Sequence, residues 1–190
     1  MQFDGDYFFM SKTSSPLLES IKKTSFFDVF SEEEKSKLVD RRGLFKRYEE
    51  KGLTIFSEGD LGKSMFVVLS GTINITKIVT PNNQDGSTSL AKPKHIVLAQ
   101  MESGSIFGEI AMLTGQTRTT HAITGSPLVV VMEITQEGMY SFNLAIQNKF
   151  HKQLISTLIS RLNTTNKKFA NLKEENLKIK KYLEDVKRKS

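Results

Sequence analysis

A chain of 190 residues without cysteine has no disulfide framework, thiolate zinc site or cysteine nucleophile, and is long enough to bury a core without such staples. Hydrophobic residues at 38% and charged ones at 25% give an ordinary globular composition, and no apolar run approaches the roughly 20 residues that span a bilayer. The net charge of +6 sits in the tail: Arg161 to Ser190 hold ten Lys/Arg against four Asp/Glu, while residues 1–160 hold seventeen of each sign. That tail reads as a solvated helical face, with non-specific nucleic-acid binding as the open alternative.

Residues 1–15 are polar and aromatic without a period and read as a flexible lead-in. Asp4 and Asp6 stand where a secretory leader would carry Lys or Arg, so a cytoplasmic location is expected. Ser15-Pro16 opens a helix over Leu17 to Lys23, with Leu17, Leu18 and Ile21 as candidates for its inner face. Ser31 followed by Glu32, Glu33 and Glu34 spells an N-cap with a capping box, starting a helix expected to reach Leu44. Phe26, Phe27, Val29 and Phe30 precede that cap and are expected to seat it on the core.

From Lys46 short runs rich in Val, Ile, Thr and Phe alternate with glycine: Leu53–Phe56, Met65–Leu69, Thr72–Val79, Ile96–Met101, and one or two more within Ala122–Ile134. In Thr72–Val79, Ile73, Ile75 and Ile78 interleave with polar residues, the signature of a half-buried strand. Pro81 to Lys94 is a polar, turn-rich insert. Seven or eight short strands at near-regular spacing predict a small antiparallel sandwich or barrel with helices at both ends, a mainly β fold with flanking α. The domain is expected over 16–150, with a separate helix over 151–190. In that helix Ile155, Leu162, Phe169, Asn176 and Leu183 fall seven apart, as do Leu158, Thr165, Leu172, Ile179 and Val186, offset by three. This is a coiled-coil seam, and a lone Asn at an a position favours a parallel pair. One amphipathic helix packed on its own domain is the alternative.

Catalytic patterns fail on inspection. Gly62-Lys63-Ser64 lacks the glycine five positions earlier that a phosphate loop needs, because Ser57 stands there. The three histidines, His95, His121 and His151, lack metal-ligand spacing, and no Gly-x-Ser-x-Gly elbow occurs. The chain therefore reads as neither an enzyme nor a metal protein. The informative stretch is Gly104-Ser-Ile-Phe107-Gly108-Glu109-Ile110-Ala111-Met112-Leu113, then four residues, then Arg118-Thr119-Thr120. It predicts a strand end, a glycine allowing close backbone approach, a short helical turn and an arginine entering the next strand. Amides at the start of such a turn, Ile110 and Ala111 among them, can hold an anion, and Arg118 can grip a phosphate with its two-pronged fork. Glu109 fits beside a phosphate if it faces a hydroxyl, as a ribose 2′-OH would offer. An ordinary Glu109–Arg118 salt bridge is the equal alternative.

Phe107-Gly-Glu-Ile-Ala-Met-Leu, four residues, then Arg118-Thr resembles the phosphate-binding cassette of cyclic-nucleotide-binding domains. The resemblance extends over about Phe26 to Asn171 and takes in Phe56-x-Glu58-Gly59-Asp60, Ser70-Gly71 and the Gly104 turn. It implies a jelly-roll-like eight-stranded antiparallel barrel with flanking helices. It also implies that Glu109 binds the ribose 2′-OH and that Arg118 binds the cyclic phosphate, helped by Thr119 and the amides of Ile110 and Ala111. Phe107, Gly108 and Thr120 complete the cassette, and Ile75 and Leu98 line the pocket. Arg161-Leu162-x-x-Thr165-Asn166-x-Lys168-x-x-Asn171-Leu172 is similar to the dimerisation helix of the catabolite-activator branch of the family. That likeness implies base contacts from Thr165 and Asn166, one from each subunit of a homodimer, and favours cAMP over cGMP. Thr120 and His121 depart from the Ala and then small or polar residue usual after Arg-Thr in the family, and no helix-turn-helix follows Leu172. The resemblance thus implies a dimeric cyclic-nucleotide sensor that signals to an unidentified protein partner, without sequence-specific DNA binding. A dimeric scaffold with a vestigial pocket is the alternative.

Overall fold

The computed structural model describes residues 16–79 and 94–189; the 1–15 lead-in and the 81–93 insert lie outside them, as do the side chains of Asp185, Lys187 and Lys189. The chain divides into two compact units, with the boundary between Lys149 and Phe150.

The first unit opens with α1 (Pro16–Lys23), which buries Leu17 and Ile21 and leaves Leu18 half-buried. A 3₁₀ turn over Ser25–Phe27 follows, and Phe26, Phe27 and Phe30 pack ring against ring with centroids 4.9 to 6.4 Å apart. Val29, expected among them, faces outward at 40% exposure. The capping box forms as its residues dictate: Ser31 Oγ accepts from the Glu34 amide at 3.2 Å, and Glu34 Oε2 accepts from the Ser31 amide at 2.7 Å. The helix it starts, α2 (Glu32–Val39), stops five residues short of Leu44. Tertiary contacts override local propensity there. Arg41 leaves the helical region with ψ 66°, donates to the Ser141 carbonyl at 3.0 Å, and lies 4.2 Å from the Phe142 ring centre.

Eight strands follow among the described residues: β1 (Phe45–Tyr48), β2 (Thr54–Phe56), β3 (Ser64–Ser70), β4 (Ile73–Val79), β5 (Lys94–Met101), β6 (Ile106–Phe107), β7 (His121–Thr124) and β8 (Val129–Thr135). Between β6 and β7 sits α3 (Glu109–Thr114), and α4 (Gln136–Tyr140) precedes α5 (Leu144–Lys189), whose residues up to Lys149 still belong to the first unit. The strands pair antiparallel in two sheets, β1-β8-β3-β6 and β2-β7-β4-β5. This is the two-sheet arrangement of a jelly roll; the named strands of the described residues do not close into the barrel that the resemblance implied. Sheets packed face to face bury their inner residues, and Phe56, Phe66, Val68, Ile73, Phe107, Ala122, Val129 and Val131 form that core.

Strand β3 is buried over Ser64–Leu69, and both α1 and α3 lie against it. At the turn into β4 only glycine fits: Gly71 has φ 79°, and a Cβ there would lie 2.2 Å from the Leu128 carbonyl. In the second unit α5 continues unbroken to Lys189, and Ile155, Leu162, Phe169, Leu172, Ile179 and Leu183 are each more than half exposed.

Candidate functional site

Strand β6 delivers Phe107 into the core, where its ring stacks on Phe66 at 5.0 Å. The chain must then turn sharply into α3. Gly108 makes that turn with φ 75°, and a Cβ there would lie 2.7 Å from Arg118 Nη1. A helix capped by glycine has no side chain to receive its leading amides, so those of Ile110 and Ala111 are left to other acceptors. Gly62 lets the 61–64 segment lie directly on the helix: a Cβ there would fall 2.1 Å from that of Ala111.

Arg118 is 5% exposed, an unusual position for a guanidinium. Its Nη1 donates to the Gly108 carbonyl at 2.5 Å, and Nη2 donates to the Ser64 carbonyl at 2.7 Å and to Ser64 Oγ at 3.3 Å. The Phe56 ring stacks 4.2 Å from the guanidinium carbon, a cation–π contact strengthened by burial. Buried Nε has no hydrogen-bond partner among the described residues. Burial lowers the Arg118 pKa from its ordinary value, opposed by the negative charges of Glu133, Asp60 and Glu109. The guanidinium stays charged because its ordinary value lies so far above neutrality.

The Phe56-x-Glu58-Gly59-Asp60 motif, given no individual roles from sequence, acts as the brace for this arginine. Gly59 N–H donates to the Arg118 carbonyl at 2.8 Å, and Arg118 N–H donates to the Asp60 carbonyl at 2.8 Å. The Asp60 carboxylate in turn accepts from the Ser57 amide at 2.7 Å. Ser64 also went unrecognised in the sequence. The available signal was a small polar residue opening an otherwise apolar strand.

The structure brings Gly108, Glu109, Ile110, Ala111 and Arg118 together around α3. Glu109 is 4% exposed, whereas Ile110 is 53% exposed. Thr119 is exposed and Thr120 half-buried at the entry to β7. Ile75 is half-buried against the sheet core, and Leu98, on edge strand β5, is 56% exposed. Phe107 is a core residue with its ring turned away from solvent. Thr165 and Asn166 belong to the second unit, exposed on α5. No group of three or more His, Asp or Glu suited to a metal ion occurs among the described residues, and none of the described helices is long and apolar enough to cross a membrane.

Two packed sheets with a short glycine-capped helix and an enclosed arginine define a small two-sheet β domain of the jelly-roll type. The profile of the cyclic nucleotide-binding domain matches residues 46–143, a little over half of the chain, and the chain belongs to that family. It is 30% identical over 124 residues to the cGMP-dependent protein kinase egl-4 of Caenorhabditis elegans, a stretch that is 65% of this chain and 14% of the kinase. It is 27% identical over 122 residues to a CRP-like cAMP-activated global transcriptional regulator of Mycobacterium tuberculosis, covering 64% of this chain and 49% of the regulator. The chain thus spans about a seventh of the first relative and about half of the second. In fold it is similar to a solved cyclic nucleotide-binding domain from Methylobacillus flagellatus, with a TM-score of 0.58, 23% identity, and coverage of 80% of this chain and 79% of that one.

Proposed function

We propose that the chain is a cyclic-nucleotide sensor, with cAMP as its ligand, that passes the binding event through α5 to a protein partner. The observation that supports this most is the enclosed Arg118, anchored to the glycine that caps α3 and with no partner for its Nε among the described residues. A cyclic phosphodiester carries one permanent negative charge and suits such a cation. In this reading Arg118 holds the phosphate with the amides of Ile110 and Ala111, Glu109 receives the ribose 2′-OH, and Thr119 and Thr120 flank the phosphate. Ile75 and Leu98 give the base an apolar wall. Thr165 and Asn166, one from each subunit of a homodimer paired along α5, contact the base. Ligand and dimer are then coupled, because a nucleotide that binds one arrangement better shifts the population toward it.

The test is calorimetric titration of the full chain with cAMP and cGMP, alongside Arg118→Ala and Arg118→Lys, with the melting temperature of each variant. Arg118 also holds the Gly108 and Ser64 carbonyls, so a lost signal counts only where the variant still melts cooperatively. Arg118→Lys keeps the charge but loses the fork, and binding is expected to weaken at least tenfold in a folded protein, since charge-assisted bonds contribute about 1.5–3 kcal/mol each. Full affinity in both folded variants overturns the phosphate assignment. Tighter binding of cGMP overturns the choice of base alone. A folded wild type that ignores both nucleotides leaves a scaffold with a vestigial pocket.

A further inference from the structure

Three bonds stitch the 58–60 turn to the segment that carries Arg118, and the third runs through a side chain that can change its charge. Two are the backbone bonds of Gly59 and Asp60 with Arg118. The third is donated by the Glu58 N–H to Nδ1 of His121, at 3.3 Å. We propose that His121 is a positioning residue for Arg118, and that its protonation loosens the turn and weakens ligand binding at acidic pH. This rests on the reading of Arg118 as the phosphate-holding residue.

An imidazole nitrogen accepts a hydrogen bond only while it lacks a proton. With Nδ1 receiving the Glu58 amide, the proton of neutral His121 sits on Nε2, which lies 4.0 Å from Glu58 Oε2. A second proton goes onto Nδ1 and sets two donors against each other, so the ring or the turn must move. The charges around it come from every neighbouring element. Glu58 Oε2 faces Nε2, and Oε1 of the same carboxylate pairs with Lys77 of β4 at 3.4 Å. His95 of β5 stands edge-on with ring centres 5.4 Å apart, its Nδ1 3.3 Å from Thr76 Oγ1. Arg118 adds a cation three residues up the chain, and Asp60 an anion on the far side of the turn. Histidine is the side chain that ordinarily changes charge between about pH 5 and 8.

The experiment titrates cAMP into the full chain at steps from pH 8 to pH 5.5, with His121→Gln, His121→Phe and His95→Gln compared. Nitrogen-15 NMR of the imidazoles and of the Glu58 amide follows the same range without ligand. Wild-type affinity is expected to fall roughly three- to tenfold toward pH 5.5, the scale of one lost hydrogen bond. His121→Gln can accept the Glu58 N–H through its amide oxygen and is expected to bind at all pH values as the wild type does at pH 8. His121→Phe is expected to bind weakly throughout, and His95→Gln to keep the pH dependence. The Glu58 amide resonance should shift with the His121 titration. A wild-type affinity flat across the range, or a pH dependence that survives in His121→Gln, overturns the proposal. No wild-type binding at pH 8 overturns the phosphate reading instead, while the ligand-free NMR titration still reports on the His121–Glu58 bond. A Glu58 amide that ignores the titration overturns that bond.

Discussion

Arg118 serves both the fold and the site, and at the scale of single residues this decides which substitutions are informative. Its guanidinium crosses to the Gly108 carbonyl because Gly108 has no side chain in the way: a Cβ would meet Nη1 at 2.7 Å and the Phe56 and Phe66 rings at 3.3 Å. Gly108→Ala therefore incurs two penalties. One is the left-handed backbone at φ 75°, roughly 1–2 kcal/mol for an L side chain. The other is displacement of the arginine, which would move the cation away from α3. Gly115 separates the two. It has φ 69° at the opposite end of the same helix, with nothing within 4 Å of its would-be Cβ. We expect Gly115→Ala to lower the melting temperature by a few degrees and leave nucleotide affinity unchanged, whereas Gly108→Ala lowers both. Melting curves and titrations of the two variants check this, and equal affinities would show that the close approach at Gly108 does not position Arg118. Sequence could place Gly108 before a helical turn, but not the ten-residue return of Arg118 onto its carbonyl. Nor could it turn Phe107 inward, since position in the cassette says nothing of which way a ring faces.

Among the elements, the ones legible in sequence are those whose signals are local. The Ser31–Glu34 capping box depends on two residues three apart, and it forms as written. The strands at 64–70 and 73–79 follow from runs of β-branched and apolar residues. Less legible were the end of α2, set by Arg41 reaching Ser141 and Phe142 a hundred residues away, and the separation of two-residue β6 from the cassette. Glu34 adds a tie that sequence could not show. Besides capping α2 it pairs with Lys149, near the start of α5, at 2.5 Å. Burial pushes the Glu34 carboxyl up, but the Lys149 ammonium and the Ser31 amide outweigh it and hold the group below its ordinary value. A carboxylate depressed in the folded state contributes stability above its unfolded pKa and loses it as pH falls through the folded value. Glu34→Gln keeps an acceptor for Ser31 but loses the ion pair. We expect it to be less stable than wild type at pH 7, with the gap closing below about pH 4. Urea unfolding at pH 7 and pH 3 measures both. A gap that persists at pH 3 would mean the carboxylate charge is not what Glu34 contributes.

For the whole molecule, the question is what covers α5. The heptad spacing is a property of the sequence alone, and Ile155, Leu162, Phe169, Leu172, Ile179 and Leu183, which carry it, are each more than half exposed among the described residues. Burying such a side chain is worth roughly 1.5–3 kcal/mol, so a second copy laid along the seam has ample driving force. Orientation is a finer matter, and the flanking charges address it. With Ile155 at a, Lys168 and Glu175 fall at g, and Lys173 and Lys180 at e. In a parallel pair each g residue faces the e residue five positions on in its partner, so Glu175 meets Lys180 favourably while Lys168 meets Lys173 with like charge. An antiparallel pair sets g against g and e against e, and those two contacts do not arise. Lys173→Glu consequently tests the parallel register. If the pair is parallel, it replaces two like-charge contacts with two attractive ones, and exposed pairs contribute about 0.2–1 kcal/mol each. The dimer should then tighten by a few fold in low salt, and the gain should fade as salt is added. Leu172→Glu, at a d position, should dissociate the pair while leaving the first unit folded. Sedimentation equilibrium of the three proteins over a range of concentration and salt gives all of these. Wild-type chains monomeric at tens of micromolar would remove the dimer altogether. A dimer that Leu172→Glu dissociates but Lys173→Glu leaves unchanged would mean that Lys168 and Lys173 do not face each other across the pair, as the parallel register requires.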